Sequence, residues 1–200
     1  MADRLTNAVY TVLGASNHSE KERNANDFYA TPPLAVRQLL EVETFNNNVW
    51  ECAYGMGHIG KVFEEKGYKV LKSDIHNYNN EDDVHIVNFL SCSKQWKGDI
   101  VTNPPYILAQ QFVEKAMELV NDGAKVAMFL KIQFLEGKKR REMFKKYPPK
   151  RIYVAVNRFG CSTDGVFDKN ENLGSAVCYC WYIWEKGFNG NPEIHWINER

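Results

Sequence analysis

Val49-Trp50-Glu51-Cys52-Ala53-Tyr54-Gly55-Met56-Gly57-His58-Ile59-Gly60 runs from an apolar stretch into a glycine-rich turn and out again into an amphipathic segment. The reading is a strand over 49–54, a Gly-x-Gly-x-x-Gly turn and a helix over 59–66. That order is how nucleotide-facing turns of open α/β sheets are built, since glycine lets the backbone pass close to a ligand. A second strand, over 68–73, ends in Ser73-Asp74. An acid at that place can accept hydrogen bonds from both hydroxyls of a ribose, and a dinucleotide would satisfy it as well.

The pattern continues on either side. Thr31-Pro32-Pro33 predicts a helix start, with Thr31 as N-cap, proline at the first helical position, and Val36, Leu39 and Leu40 on the buried side. Strands follow over 84–87, 99–102, 124–130, 151–156 and 176–184, with helices over 107–120 and 138–146. This βα succession implies an α/β fold, a mostly parallel doubly wound sheet covered on both faces. No crossover helix separates the last two strands, which predicts an antiparallel hairpin at the sheet edge. The intervening 157–175 is long enough to be a functional loop.

Asp99-Ile100-Val101-Thr102 leads directly into Asn103-Pro104-Pro105-Tyr106. Two prolines fix φ, remove two backbone donors and push their predecessors into extended conformations. The Asn103 amide and the Pro104 carbonyl can then both face outward as acceptors, with a flat Tyr106 ring beside them. Such a site receives a planar amino group. An ordinary proline turn closing a strand is the plain alternative, but a hydride-transferring dinucleotide domain has no use for the element. Glycine turn, acid and amine receptor meet at one carboxyl edge, where α/β sheets bind ligands.

With these three elements the chain resembles the amino-methyltransferases of the S-adenosylmethionine-dependent class I fold, in particular small phage-type DNA adenine methyltransferases. The resemblance covers roughly residues 26–185 and rests on Glu51 to Gly57, Asp74 and the full Asn103-Pro104-Pro105-Tyr106 motif. It implies S-adenosyl-L-methionine as cofactor. Phe28, Tyr29, Thr31 and Pro32 would pack over its methionine end, with Glu51, Ala53, Gly55 and Gly57 as floor. Asp74 and Ile75 would lie at the ribose, Asn88 and Phe89 near the adenine ring, and Asn103 at the boundary with the target. Catalysis would fall to Asn103, Pro104, Pro105 and Tyr106. The expected reaction is methylation of the exocyclic amine of adenine in DNA. Cytosine amine, adenine in RNA and a glutamine amide in protein are alternative targets, and a DNA-binding module without turnover is the alternative outside enzymology. Phe159 is a candidate for the second face of the base, with core packing as its alternative.

Charge is unevenly placed. Of 25 basic and 25 acidic residues, eight basic ones and Glu142 fall within 138–151, which leaves the rest of the chain at 17 against 24. Lys138, Lys139, Arg140 and Arg141 are therefore candidate phosphate contacts of double-stranded DNA, or else the solvated face of a helix. Five cysteines (Cys52, Cys92, Cys161, Cys178, Cys180) include no Cys-x-x-Cys pair, and the histidines lack ligand spacing, so neither a disulfide framework nor a metal is expected. The longest apolar run, 176–184, is short of the roughly 18–20 residues of a membrane span. Met1-Ala2-Asp3-Arg4 lacks a signal-peptide pattern. A cytoplasmic protein, in a bacterium or phage-infected host, is expected. A polar arm or lid over 1–27 and one domain over 28–200 complete the reading, with monomer and homodimer both open.

Overall fold

Apolar strands alternating with amphipathic helices can bury their faces only in layers. The computed structural model, which describes residues 29–162, 165–167 and 177–197, has that arrangement. The chain runs α1 (Pro33–Val42), β1 (Asn48–Glu51), α2 (His58–Glu65), β2 (Lys69–Asp74), β3 (Val84–Ile86), β4 (Asp99–Thr102), α3 (Ala109–Leu119), β5 (Lys125–Lys131), α4 (Arg141–Lys146), β6 (Arg151–Ala155), β7 (Tyr179–Glu185) and β8 (Glu193–Ile197). The strands form one sheet in the order β3-β2-β1-β4-β5-β7-β6-β8. The first five in that order are mutually parallel. Strand β7 is antiparallel to both β5 and β6, and β8 is parallel to β6.

A sheet covered on both faces needs continuously apolar central strands. Strand β4 is buried throughout, and β7 is buried from Tyr179 to Trp184. Strand alternation sends Tyr182 and Trp184 into one core with Trp50, Phe112 and Met128, and Trp181 and Ile183 into the other with Leu39, Phe63 and Phe129. The buried indoles are paired: Trp181 Nε1 donates to Ala35 O at 3.0 Å and Trp184 Nε1 to Tyr147 O at 3.0 Å. Glu43, at the end of α1, is buried and accepts from Lys125 Nζ at 2.8 Å, Tyr153 Oη at 2.8 Å and Arg151 Nε. Burial pushes its carboxyl up, but these hydrogen bonds outweigh burial and hold it below the usual carboxylate range.

Several boundaries differ from the sequence reading. Strand β1 stops at Glu51 because Cys52 to Gly57 form the turn itself, and Tyr54 N reaches back to Ser73 O at 3.0 Å. Helix α1 begins at Pro33 with Pro32 in the cap position and no side-chain cap; the Thr31 hydroxyl is engaged by Asn103 instead. The predicted helix 138–146 is a 3-10 turn, Lys138–Arg140, followed by α4. The hairpin of β6 and β7 forms, but β8 takes the edge beyond it. The 1–27 arm, Phe28 and much of 157–175 lie outside the described residues. Among those described, no helix is long and apolar enough to cross a membrane.

Candidate active site

The carboxyl ends of β1, β2 and β4 converge on a cleft enclosing about 990 Å³, counting the part open to solvent. Its floor is the turn after β1. Gly55 and Gly57 have φ of 57° and 81°, in the left-handed region that favours glycine. A Cβ on Gly57 would lie 2.3 Å from Tyr54 Oη, so the turn closes against the Tyr54 ring only because residue 57 has no side chain. Tyr54 itself is buried and donates to Glu81 Oε2 at 2.8 Å. Lys61 Nζ bridges Glu81 Oε1 at 2.8 Å and Met56 O at 3.1 Å, and Asn79 Nδ2 reaches Met56 O at 3.0 Å. The loop after β2 is thereby tied to the glycine turn. Although burial pushes it up, the Glu81 carboxyl is brought down to about 2 by hydrogen bonds from Lys61, Asn79 and Tyr54.

Two carboxylates face this turn. Glu51 is buried and its Oε2 accepts from Gly60 N at 2.6 Å; burial pushes its pKa well above the usual carboxylate range, and the charge of Asp74 adds to the shift. Asp74 accepts from Gly55 N through Oδ2 at 2.8 Å and from His76 N through Oδ1 at 3.1 Å. It therefore braces the turn and still has a lone pair on each oxygen.

At the end of β4, Asn103 Nδ2 donates to Tyr29 O at 2.7 Å and to Thr31 Oγ1 at 2.9 Å. Both amide hydrogens are thus bound, while Asn103 Oδ1 is buried without a hydrogen-bond partner. Pro105 O accepts from Leu108 N at 2.9 Å. Tyr106 is half-buried, with its ring stacked on Tyr29 at 5.5 Å between centroids and 25° between planes. Burial pushes the Tyr106 hydroxyl up, so the phenol stays neutral.

Tyr29, Thr31, Glu51, Ala53, Gly55, Asp74, Ile75, Asn88, Phe89 and Asn103 to Pro105 line the cleft. Gly57 and Pro32 stand behind it, the one against Tyr54 and the other at the head of α1. Asn88 Oδ1 accepts from Leu90 N at 3.1 Å, which shapes the wall below Phe89. Two candidate contacts take the plainer of the roles open to them or turn away from solvent. Phe159 is only 1% exposed and packs on Phe129 in the core, so it has no face to offer a base. Arg140 folds onto its own loop, donating to Phe134 O at 2.9 Å and Gln133 O at 3.3 Å, with its guanidinium 5.0 Å from the Phe134 ring centroid. In the rest of the basic cluster, Lys145, Lys150 and Arg151 pair with Glu142, Glu185 and Glu43. Lys138, Lys139 and Arg141 make no ion pair among the described residues.

The sequence reading missed Tyr78 and His58 as cleft-lining residues. Burial lowers the pKa of His58, whose Nε2 lies 3.0 Å from Gly165 O, so the loop after β6 folds onto the glycine turn. No spacing rule marks either residue; only the aromatic character of Tyr78 beside Asp74 was available as a signal.

By sequence, the chain matches no family model and no curated protein. By structure it is similar to a protein of Agrobacterium tumefaciens described as an O-methyltransferase, with TM-score 0.59, 11% identity, and 82% of this chain and 85% of that one covered. It is also similar to a Listeria monocytogenes protein described as a class I S-adenosylmethionine-dependent methyltransferase, with TM-score 0.57, 14% identity, and 96% and 70% covered. A third is described as a modification subunit of a type I restriction enzyme from Vibrio vulnificus, with TM-score 0.56, 13% identity, and 96% and 50% covered. The chain has the fold of these class I methyltransferases.

Proposed function

We propose that this protein transfers a methyl group from S-adenosyl-L-methionine to the exocyclic amine of adenine in DNA. The state of Asn103 carries the reading. Its two amide hydrogens are held by Tyr29 O and Thr31 Oγ1, which fixes Oδ1 as a buried acceptor with no partner. A buried acceptor without a donor costs about 1–3 kcal/mol, and an amine N–H from the target removes that cost. With the Pro105 carbonyl engaged by Leu108, the Pro104 carbonyl is the neighbouring acceptor for the second hydrogen.

A base amine is a poor nucleophile because its lone pair is delocalised into the ring. Two acceptors on its hydrogens favour the pyramidal form, stabilise the positive charge that develops on nitrogen, and aim the lone pair. No strong base is needed. The cleft fits the methyl donor: Asp74 keeps lone pairs for ribose hydroxyls, Glu51 places a carboxyl group that a cationic amine would draw into its ionised form, and Ile75, Phe89 and Leu90 form an apolar wall for a purine. The bound cofactor supplies an electrophilic methyl group on a sulfonium. Lys138, Lys139 and Arg141, without ion pairs among the described residues, favour a polyanion over a protein glutamine. In a duplex the target base must leave the stack, which costs a few kcal/mol.

The test is incubation of the protein with radiolabelled S-adenosylmethionine and, in separate reactions, duplex DNA, RNA or cell-extract protein, followed by nucleoside analysis. Label in N6-methyladenine from DNA is the expected result. Label in another nucleoside or only in protein would replace the reading.

A further inference from the structure

Lys131, the last residue of β5, extends over the aromatic pair beside Asn103. Its Nζ lies 4.7 Å from the Tyr106 ring centroid and 5.8 Å from that of Tyr29, while the two centroids are 5.5 Å apart. The three positions make a nearly equilateral triangle, so the ammonium and the Tyr29 ring stand toward the same side of Tyr106. Tyr179, buried in the core, contacts Tyr106 at 6.0 Å. Among the described residues no carboxylate pairs with Lys131. The motif's stacking platform is therefore covered by a cation and a second ring, and a planar target must take their place.

We infer that Lys131 selects the target by charge: a base stacking on Tyr106 displaces the ammonium, which then binds the phosphate flanking the target nucleotide. The inference rests on the reading of a nucleic-acid acceptor and adds the nucleotide phosphate as a required part of the substrate. A cation over a ring is held less strongly than a charge-assisted bond to phosphate, which is among the stronger hydrogen bonds. The flexible four-carbon stem lets the ammonium move while its backbone stays in the sheet. A free nucleoside or a glutamine amide would displace the ammonium and offer no anion in return. An alkylammonium substrate would bring a second positive charge to the same place. All three are thereby disfavoured against a nucleotide.

The experiment compares wild type, Lys131→Met and Lys131→Arg on a duplex containing a single adenine, with ordinary linkages or with one neutral methylphosphonate placed 5′ or 3′ to that adenine. For wild type, one of the two neutral linkages is expected to raise KM by roughly tenfold, the size of a missing hydrogen bond to a charged group, with kcat little changed. Lys131→Met should show the raised KM on the ordinary duplex and no further penalty from the neutral linkage, while Lys131→Arg restores the wild-type pattern. Melting temperatures confirm that the variants fold. An equal linkage penalty in wild type and Lys131→Met, or an unchanged KM in Lys131→Met, overturns the inference while leaving the DNA reading intact. Failure of wild type to methylate any duplex overturns both.

Discussion

Thr31 and Asn103 are joined by a 2.9 Å hydrogen bond in which the amide donates to the hydroxyl, although 72 residues separate them in the chain. A residue that would ordinarily cap α1 thus orients the side chain at the end of β4. Asn103→Ala should keep cofactor affinity and lose roughly 100–1,000-fold in kcat, as when one transition-state hydrogen-bond partner is removed. Thr31→Val, which leaves Oδ1 in place but frees one amide hydrogen, should lose roughly fivefold, about one ordinary hydrogen bond. Calorimetric cofactor binding with single-turnover methylation measures both, and near-wild-type turnover by Asn103→Ala would remove the proposed role.

Asp74 braces Gly55 and His76 as well as facing the cleft. Asp74→Ala should raise the cofactor dissociation constant by roughly tenfold or more, the loss of a hydrogen bond to a charged group. Asp74→Asn should fall between the two. Unchanged affinity in the alanine variant would move the ribose-binding role elsewhere.

Glu51 has a raised pKa in the fold, chiefly from burial. The folded chain then keeps a proton that the unfolded chain releases above its ordinary value of 4.5, so stability falls as pH rises through that window. Glu51→Gln retains an acceptor for Gly60 N and has no such titration. Its melting temperature relative to wild type should therefore improve steadily as pH is raised above 4.5. A pH-independent difference would show that Glu51 is ionised in the fold.

The flat ring is what stacking needs at position 106. Tyr106→Trp should retain activity, and Tyr106→Ala should lose the ~1–3 kcal/mol of one base–aromatic stack, read as weaker fluorescence of 2-aminopurine placed at the target position. Equal behaviour of the two variants would end the stacking account.

Within the basic cluster the side chains should now divide. Lys138→Ala with Arg141→Ala should flatten the plot of log affinity against log salt, by about 0.9 for each duplex phosphate no longer neutralised, with the melting temperature unchanged. Arg140→Ala should instead lower the melting temperature, because the Phe134 and Glu136 carbonyls lose the guanidinium as donor, while Gln133 O keeps the Glu136 N–H. An unaltered salt slope in the folded double variant would reduce the cluster to a solvated face.

The elements with strong local signals were legible. Strand β4 matches its expected bounds, and the glycine turn, Asp74 and the Asn103 motif meet at one edge because a parallel sheet puts all its carboxyl ends together. What escaped depended on neighbours distant in sequence. Thr31 has the composition of a cap, and only the approach of Asn103 redirects it. Phe159 and Phe129 are 30 residues apart, so nothing local reveals that their rings meet. Arg140 looks like its basic neighbours until the Ile132–Leu135 turn presents carbonyls to it. Strand β8 escaped because Glu193, Ile194, His195 and Trp196 are all exposed, which leaves no buried face to read.

Strand β7 follows β6 in the chain yet lies between β5 and β6, pairing seven residues with the one and four with the other. During synthesis the strand that joins β5 to β6 leaves the ribosome more than twenty residues after β6 ends. Until Tyr179 to Glu185 arrive, Met128 and Leu130 have no neighbour on that side. The glycine turn, Asp74 and the Asn103 motif all precede this strand in the chain, so the proposed site is complete in sequence before the sheet that carries it.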